Sequence, residues 1–314
     1  MIVDVLTRIW HSPDQLGMEL SDAVRRGGAP GGSSTQLDGT IAAHARETAC
    51  ETVTLVHGFR SNMLGALVPN EFVADHVRRH PDRMLGIAGI DPLASEALDE
   101  LERARALGLV GVSISPSAQG FHAANSSAMR LYERCEALGL PVFAARLGRS
   151  TASCIMEFDR PAAFDEVMRS FPRLKLVLGE IGFPWVDEAL VLMSKHAGVF
   201  ADTSGMVSRP WQLYGVLLSA SSLGVIDRIM LGSGFPFERP ASAVETILSL
   251  NSYALGTPLP AIPRASLRGI VERDAVSALG LAAVLGPGSS VRGAVRSSSP
   301  LGPTGLPPRT ARPQ

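Results

Sequence analysis

The chain has 314 residues, a formal net charge of −1 and a hydrophobic content of 46%, enough for one large α/β domain or two smaller ones. The charge gives no overall attraction to nucleic acid, and no apolar run approaches the roughly 18 residues of a membrane helix. The three scattered cysteines, Cys50, Cys135 and Cys154, match neither a disulfide framework nor a zinc motif. Because the N-terminus also lacks the pattern of a signal peptide, we expect a cytoplasmic protein without membrane or nucleic-acid partners.

Short apolar and β-branched runs alternate with segments of helical periodicity along most of the chain. The segment 93–107, for example, has apolar residues at 93, 97, 98, 101, 104 and 107, which is the 3.6-residue period of a helix. Strands that alternate with helices predict a (β/α)8 barrel, or TIM barrel, over residues 1–283. The runs predicted as strands are Ile2–Leu6, Thr52–His57, Met84–Ile90, Val110–Ile114, Pro141–Ala145, Leu174–Leu178, Val199–Ala201 and Arg228–Leu231.

A doubly wound open sheet is the alternative architecture. It would require a glycine-rich phosphate turn directly after the first strand, where this chain has LTRIWHSPDQ at residues 6–15. The glycine-rich run GGAPGGSS at 27–34 follows no strand and opens no clear helix. We interpret it as an excursion between the first strand and its helix.

The segment 284–314 differs in composition from the rest of the chain. It is rich in Gly, Pro and Ser, carries four arginines and no acidic residue, and has no apolar periodicity. Such a segment cannot bury enough surface to offset its conformational entropy, so we predict a disordered tail. A passive tail is favoured over one that binds a weak anionic partner.

Polar side chains at or beyond the predicted strand ends are the candidates for a site, because barrel enzymes place their chemistry at the C-terminal ends of the strands. Glu180 follows a strongly apolar strand and is the candidate catalytic residue. The candidate ligand-binding residues are Arg8, His57, Arg60, His122, Arg146, Trp185, Asp202, Glu238 and Arg239.

The arginines among these candidates suit a small anionic molecule, because the planar guanidinium group pairs with carboxylates. The alternative is that Arg8 and Arg146 form internal ion pairs with Asp4, Glu180 or Asp202. Internal pairing is favoured because an unpaired buried charge is costly.

Two histidines, His76 and His80, lie four residues apart in DHVRRHP, just before Pro81. A cation near a helix C-terminus is stabilised by the helix dipole. We therefore predict a solvated helix face here in preference to a metal-binding pair.

Several segments, in this order, resemble the amidohydrolase-related barrels, the branch that includes aminocarboxymuconate-semialdehyde and resorcylate decarboxylases and many metal-dependent hydrolases. They extend over roughly 84–283, and the N-terminal strand matches more loosely. The resemblance implies a TIM barrel with a zinc or manganese ion held at the strand ends. The matching segments are GIAGIDPL, LGLVGVSISPSAQGFHAANSSAMRLYERCEALGLPVF, FPRLKLVLGEIGFPWVDEAL, VFADTSG, DRIMLGSGFPF and IPRASLRGIVERDAVSALGL.

The residues at the places of the family's metal ligands depart from its pattern. Strand one would supply two histidines, strands five and six one histidine each, and strand eight an aspartate. A zinc or manganese ion needs three or four nitrogen or oxygen donors, so the departures predict no metal and no other cofactor. The corresponding residues are Leu6 and Arg8, Ala145 or Arg146, Glu180 and Gly234.

Three functional interpretations remain open. The first is a catalytically degenerate barrel, a pseudoenzyme, that binds a small anion or forms a homo-oligomer or a hetero-oligomer with an active relative. The second is a metal-free, lactonase-like hydrolase or a decarboxylase of a small carboxylated substrate, with Glu180 as general base. The third is a metal-dependent hydrolase with displaced ligands. Its ligands would come from His11, His57, His122, Glu180, Asp202 and Glu238.

Overall fold

The computed structural model describes residues 2–25, 37–48, 52–146 and 151–282. The strands, numbered in chain order, are β1 Ile2–Arg8, β2 Thr52–His57, β3 Phe59–Ser61, β4 Ala66–Val68, β5 Met84–Gly89, β6 Val112–Ile114, β7 Val142–Ala144, β8 Leu176–Leu178, β9 Val199–Asp202 and β10 Ile229–Met230. Within these described residues, eight strands form one sheet in the order β1, β2, β5, β6, β7, β8, β9, β10, and each assigned pair is parallel. Strands β3 and β4 form a separate antiparallel hairpin.

Hydrogen bonds between the segments at the two ends of the sheet order close it into a barrel. The amide of Val5 donates to the carbonyl of Leu231 at 2.9 Å, and Thr7 forms a parallel bridge with Phe235. Closure excludes the doubly wound open sheet and confirms the predicted (β/α)8 barrel. The C-terminal ends of all eight strands therefore meet at one mouth.

Helices follow the strands and cover the outside of the barrel. Helix α6 shows why these segments are helical: the Asn125 side chain caps its N-terminus by accepting from the amide of Ser127 at 2.9 Å, and Gly139 ends it with a φ of 67°. The helices are α1 Met18–Arg25, α2 Ile41–Glu47, α3 Asn70–Val77, α4 Ala97–Ala106, α5 Pro116–Gln119, α6 Ser126–Leu138, α7 Asp165–Ser170, α8 Val186–Lys195, α9 Pro210–Ser222, α10 Pro240–Ser249, α11 Arg264–Glu272 and α12 Ala275–Ala278.

The barrel strands are buried on both faces, as expected of a parallel sheet covered by helices. Alternate residues such as Val5, Leu55 and Phe143 point into a cluster inside the barrel, while their neighbours pack in a larger cluster under the helices. Helix α12 and Leu281 belong to the inner cluster. The end of the described chain is thus part of the barrel core.

The predicted solvated face at His76 and His80 is wrong for His76, which is fully buried. Helix α3 turns this face inward because Val73 and Val77, which share it, pack against the sheet. His76 Nε2 lies 3.0 Å from Nδ1 of His44, another buried histidine, whose own Nε2 lies 3.0 Å from Thr7 Oγ1. The imidazoles of His76 and His44 therefore form a buried chain of polar contacts that ends at Thr7 of β1.

The remaining fold predictions differ from the structure at element ends. Strand β1 continues to Arg8, two residues beyond its predicted end, and the hairpin of β3 and β4 was not predicted. The predicted excursion at 27–34 and the predicted tail at 284–314 lie outside the described residues. In the described part of the chain, no helix is long and apolar enough to cross a membrane.

Candidate functional site

A cavity of about 490 Å³ opens at the C-terminal ends of the barrel strands, where barrel enzymes bind their ligands. Four predicted site residues line it: Arg8, Arg146, Glu180 and Glu238. Two of the places that the family resemblance assigned to metal ligands, Leu6 and Gly234, line it as well. The other lining residues are Ala23, Leu37, Met156, Phe183, Pro184, Ser204, Gly205, Ser208, Arg209 and Phe237.

Glu180 lies in a tight turn that directly follows β8. It has a φ of 55°, and the next residue, Ile181, has a φ of 49°. This left-handed conformation is unusual for a β-branched residue and is characteristic of strained segments at functional sites. The turn places a carboxylate that is only 5% exposed at the wall of the cavity.

The Glu180 carboxylate faces two guanidinium groups. Its Oε2 atom lies 3.5 Å from Nη1 of Arg146 and 3.8 Å from Nη1 of Arg209. Burial raises the pKa of Glu180, and the two arginines oppose that rise. The predicted internal ion pair between Glu180 and Arg146 is thus confirmed.

Arg146 is held from several sides. Its Nε lies 3.2 Å from Oδ2 of Asp159, and its Nη1 donates to the carbonyl of Phe183 at 2.6 Å. Asp159 in turn accepts from the amide and the hydroxyl of Ser117, at 3.1 and 2.6 Å. Arg146 is therefore fixed in position beside Glu180.

Arg209 is a site residue that was not predicted from the sequence. Its Nη1 donates to the carbonyl of Gly205 at 2.9 Å, and its guanidinium group lies 4.4 Å from the centre of the Phe183 ring. A cation over an aromatic face is attracted by the ring quadrupole. Arg209 lies in the loop between β9 and α9, well past the strand end, and its one sequence signal is its place before Pro210 at a helix start.

Arg8, the last residue of β1, is the most deeply buried cation of the cavity, with 3% exposure. Its Nη2 donates to the carbonyl of Ala145 at 3.4 Å, and its Nε has no hydrogen-bond partner among the described residues. Burial lowers the pKa of Arg8 to about 10, while the charges of Asp202 and Glu180 act in the opposite direction. Arg8 is thus charged at neutral pH, and its Nε–H donor is unused within the described residues.

The predicted internal ion pair of Arg8 is not found at contact distance in the described residues. Asp202 is the carboxylate whose charge raises the pKa of Arg8 most. Its Oδ1 atom, however, accepts from the amide of Ser204 at 2.8 Å and from the Ser204 hydroxyl. Burial raises the pKa of Asp202. Asp202 therefore organises the loop beneath the cavity and does not line it.

Two predicted histidines lie apart from the cavity. His57 is buried inside the barrel, where its Nε2 lies 2.9 Å from the carbonyl of Val5 and its ring packs edge-on against Phe143. His122 lies in an exposed loop, and its Nδ1 accepts from the amide of Ala124. Because neither histidine lines the cavity, the two do not converge as a displaced metal site would require.

Three other predicted binding residues also lie outside the cavity lining. Arg60, in the hairpin, is paired with Glu96. Arg239 precedes α10 and lies 2.8 Å from Glu47. Trp185 is the half-buried residue before α8. Each follows a barrel strand in the sequence, but its side chain does not line the mouth cavity.

The residues at the mouth do not fit the divalent ion that the family resemblance implies. Leu6 and Gly234 offer no side-chain donor, Ala145 is buried and apolar, and Arg8 would repel a cation. Gly234 also has a φ of 73°, in the region that favours glycine. Over the described ranges, no three His, Cys, Asp or Glu residues are grouped so that they could hold an ion.

Comparison with known proteins agrees with this fold. The sequence profile of the amidohydrolase family matches residues 55–272. An uncharacterised TIM-barrel protein from Bordetella bronchiseptica is 19% identical, with a TM-score of 0.65 over 90% of this chain and 99% of its own. A probable 2-pyrone-4,6-dicarboxylic acid hydrolase from Acinetobacter baumannii, with citric acid bound, is 14% identical, with a TM-score of 0.59 over 89% and 99%.

A third similar structure is a dihydroxybenzoic acid decarboxylase from Polaromonas, with bound manganese and 2-nitroresorcinol. It is 16% identical, with a TM-score of 0.56 over 90% of this chain and 97% of its own. No curated protein sequence matches the chain significantly. The family profile extends over more than half of the residues, from β2 to the end of α11. The chain therefore belongs to the amidohydrolase family.

Proposed function

We propose that this barrel binds a small organic carboxylate at its mouth, through Arg8 and without a divalent ion. The observation that carries the proposal is a buried arginine on the cavity wall whose Nε–H has no partner among the described residues. A buried charge without a close partner is costly, and a bound carboxylate offsets that cost. The guanidinium group offers paired N–H donors that match both oxygens of a carboxylate.

The charges around the cavity support the same class of ligand. Arg8, Arg146 and Arg209 line it together with the acidic residues Glu180 and Glu238. Burial raises the pKa of both carboxyl groups and so disfavours their charged forms, and the three arginines outnumber them. The cavity therefore favours an anion over a cation.

Named ligands of similar structures also support a carboxylate. Citric acid is bound to the Acinetobacter protein, which is itself named for a pyrone dicarboxylic acid. The Polaromonas decarboxylase is named for dihydroxybenzoic acid. These compounds share carboxylate groups on a compact skeleton, a size that suits a cavity of about 490 Å³.

We infer that the protein acts as a catalytically degenerate binding or partner subunit, because the cavity wall presents arginines where the family resemblance places metal ligands. The second candidate is metal-free hydrolysis of a carboxylated lactone with Glu180 as general base. The raised pKa of Glu180 favours that role. Its two arginine neighbours oppose it, since they stabilise the ionised form and so weaken the base.

Titration calorimetry with chelator-treated protein tests the proposal. Citrate, 2-pyrone-4,6-dicarboxylate and 2,6-dihydroxybenzoate are the probes. We expect Arg8→Met to weaken binding about tenfold or more, the equivalent of about 1.4 kcal/mol. The matched variant Arg60→Met removes an arginine that pairs with Glu96 outside the cavity and should bind like the parent protein.

Two outcomes would overturn the proposal: no binding of any of the three anions, or equal affinity of the parent protein and Arg8→Met. An assay of pyrone hydrolysis, monitored by the decrease in pyrone absorbance, separates the two candidate functions. Turnover that Glu180→Gln abolishes would establish the second candidate in place of the first.

A further inference from the structure

A second cavity, of about 600 Å³, lies between α8 and α9. It is separated from the mouth cavity by one shared wall, because Phe183 and Pro184 line both. Pro184 is exposed. The two cavities therefore adjoin at Phe183 and Pro184, which we call the ridge, and we call the second cavity the α8–α9 groove.

The α8–α9 groove is mostly apolar and open to solvent. Trp211 is 57% exposed and Leu259 is 38% exposed, and both line it together with Val186 and Leu218. The Trp211 ring stacks on Tyr214 at a centroid distance of 5.8 Å, which fixes its orientation. Exposed apolar surface of this kind, grouped in a concave site, marks a binding surface.

Charge is distributed unequally between the two cavities. Arg8, Arg146 and Arg209 all line the mouth, whereas no described residue that lines the α8–α9 groove is Lys or Arg. Arg209 stands at the boundary, stacked on the shared Phe183 and two positions before Trp211. A mouth that contains three arginines and two glutamates thus adjoins a mostly apolar groove, which also contains the exposed Asp187.

We propose that the ligand is an amphipathic carboxylate, with its head on Arg8 and its apolar chain or ring laid over Phe183 and Pro184 into the α8–α9 groove. This inference rests on the proposed function and adds the class of ligand. A compact anion would fill only the mouth and leave Trp211 exposed. An apolar extension buries surface in the groove, which favours binding by roughly two- to fourfold for each added methylene.

Calorimetric titration of the full chain with saturated carboxylates of four to twelve carbons, below their micellar concentrations, tests the inference. We expect weak and nearly constant affinity for the shortest acids and a steady rise once the chain passes the ridge. Trp211→Ala should remove most of that rise and leave the affinity for butanoate unchanged. Leu223→Ala, a 50% exposed leucine just past α9 and outside the groove lining, is the matched control and should behave like the parent protein.

The outcomes separate this inference from the proposed function. If no acid binds, the proposed function itself fails. If short acids bind through Arg8 but affinity does not rise with length, or Trp211→Ala does not change the rise, only the amphipathic ligand is excluded. Self-association that Trp211→Ala disrupts, with acid binding unchanged, would assign the groove to a second copy of the chain and overturn the inference.

Discussion

Gly205 leaves the space that the Glu180 carboxyl group occupies: a Cβ atom on Gly205 would stand 2.6 Å from Cδ of Glu180. Gly205 also has a φ of 65°, which a side chain disfavours. We expect Gly205→Ala to lower the free energy of unfolding by about 1–3 kcal/mol, because the Glu180 side chain must shift from its position beside Arg146 and Arg209. Urea denaturation measures the effect.

Gly269 provides the control for that prediction. It lies within α11 in ordinary helical conformation, and a Cβ there would meet only the Arg273 side chain, at 3.4 Å. Gly269→Ala should be neutral or stabilise the protein by up to about 1 kcal/mol. If both alanine variants changed stability alike, the fit between Gly205 and Glu180 would not be the cause.

Glu180→Gln should lower the melting temperature clearly, because it removes the charge that faces Arg146 and Arg209 in a buried setting. Arg146 keeps its contacts with Asp159 and Phe183, so we expect a loss of about 1–3 kcal/mol. Glu188→Gln, at a partly exposed pair with Arg160, should cost less than about 1 kcal/mol. If the melting temperature of Glu180→Gln were unchanged and its turnover were lost, Glu180 would instead be identified as a general base.

Stability should fall with acid because of the buried chain of His44 and His76. Thr7 donates its one hydroxyl proton to the Leu55 carbonyl at 2.9 Å, so it accepts from Nε2 of His44. His44 Nδ1 must then accept from Nε2 of His76, whose own Nδ1 has no partner in the described residues. Protonation of either ring adds an N–H that has no acceptor.

Burial lowers the pKa of His44 to about 3 and that of His76 to about 4, with His80, Arg79 and Arg83 adding positive charge nearby. The unfolded chain binds protons near pH 6.5 and the folded chain does not. Stability is thus complete above about pH 6.5 and falls as pH decreases toward 4, by up to about 1.4 kcal/mol per pH unit for each histidine.

Urea denaturation between pH 7.5 and 5 measures that slope. In His76→Gln the side-chain amide can still donate to His44 but does not titrate, so the contribution of one histidine should disappear. His122→Gln, in an exposed loop, should leave the slope unchanged. An equal slope in the parent protein and His76→Gln would contradict the assignment.

Removal of residues 283–314, which the sequence predicts to be a disordered tail, should leave the melting temperature within about 2 °C of the full chain. Removal from Ala275 onward should lower it by about 10 °C or more. That deletion takes away Val276, Leu279 and Leu281, which are at most 3% exposed in the inner cluster. Circular dichroism melts of the two truncated chains test the predicted boundary at residue 283.

Elemental analysis of protein purified without chelators should find zinc and manganese far below one equivalent. The reason is the residue set at the mouth, where Glu180 is flanked by arginines and Gly234 carries no ligand. The Polaromonas decarboxylase, which has bound manganese, is the positive control. A near-stoichiometric ion that Glu180→Ala releases would show that the mouth holds a metal after all.

The sequence predicted the barrel and part of the site for one physical reason: parallel strands in a closed sheet bring their C-terminal ends together. Arg8, Arg146 and Glu180 adjoin such ends and do meet. His57 also ends a strand, but its side chain points to the barrel interior. Side chains alternate between the two faces of β2, and His57 shares the inner face with Val53 and Leu55.

Residues held by loops or by helix packing were harder to predict. Arg209 reaches the cavity through a loop whose path depends on its contacts with Gly205 and Phe183. His44 carries no signal in its short helix, and the burial of His76 depends on how α3 rotates against the sheet. The burial of both histidines depends on tertiary packing, which local periodicity in the sequence does not predict.

The left-handed backbone at Gly234 limits how this scaffold can change. A Cβ atom there would lie 3.2 Å from Cβ of Ser204, so an aspartate would bring both crowding and backbone strain before it met any ion. A designer who wished to install a metal ligand there would have to relieve the contact with Ser204 and the strain of the loop after β10 as well. Evolution would face the same cost, so a metal ligand regained at this position alone would destabilise the loop before it contributed to a site.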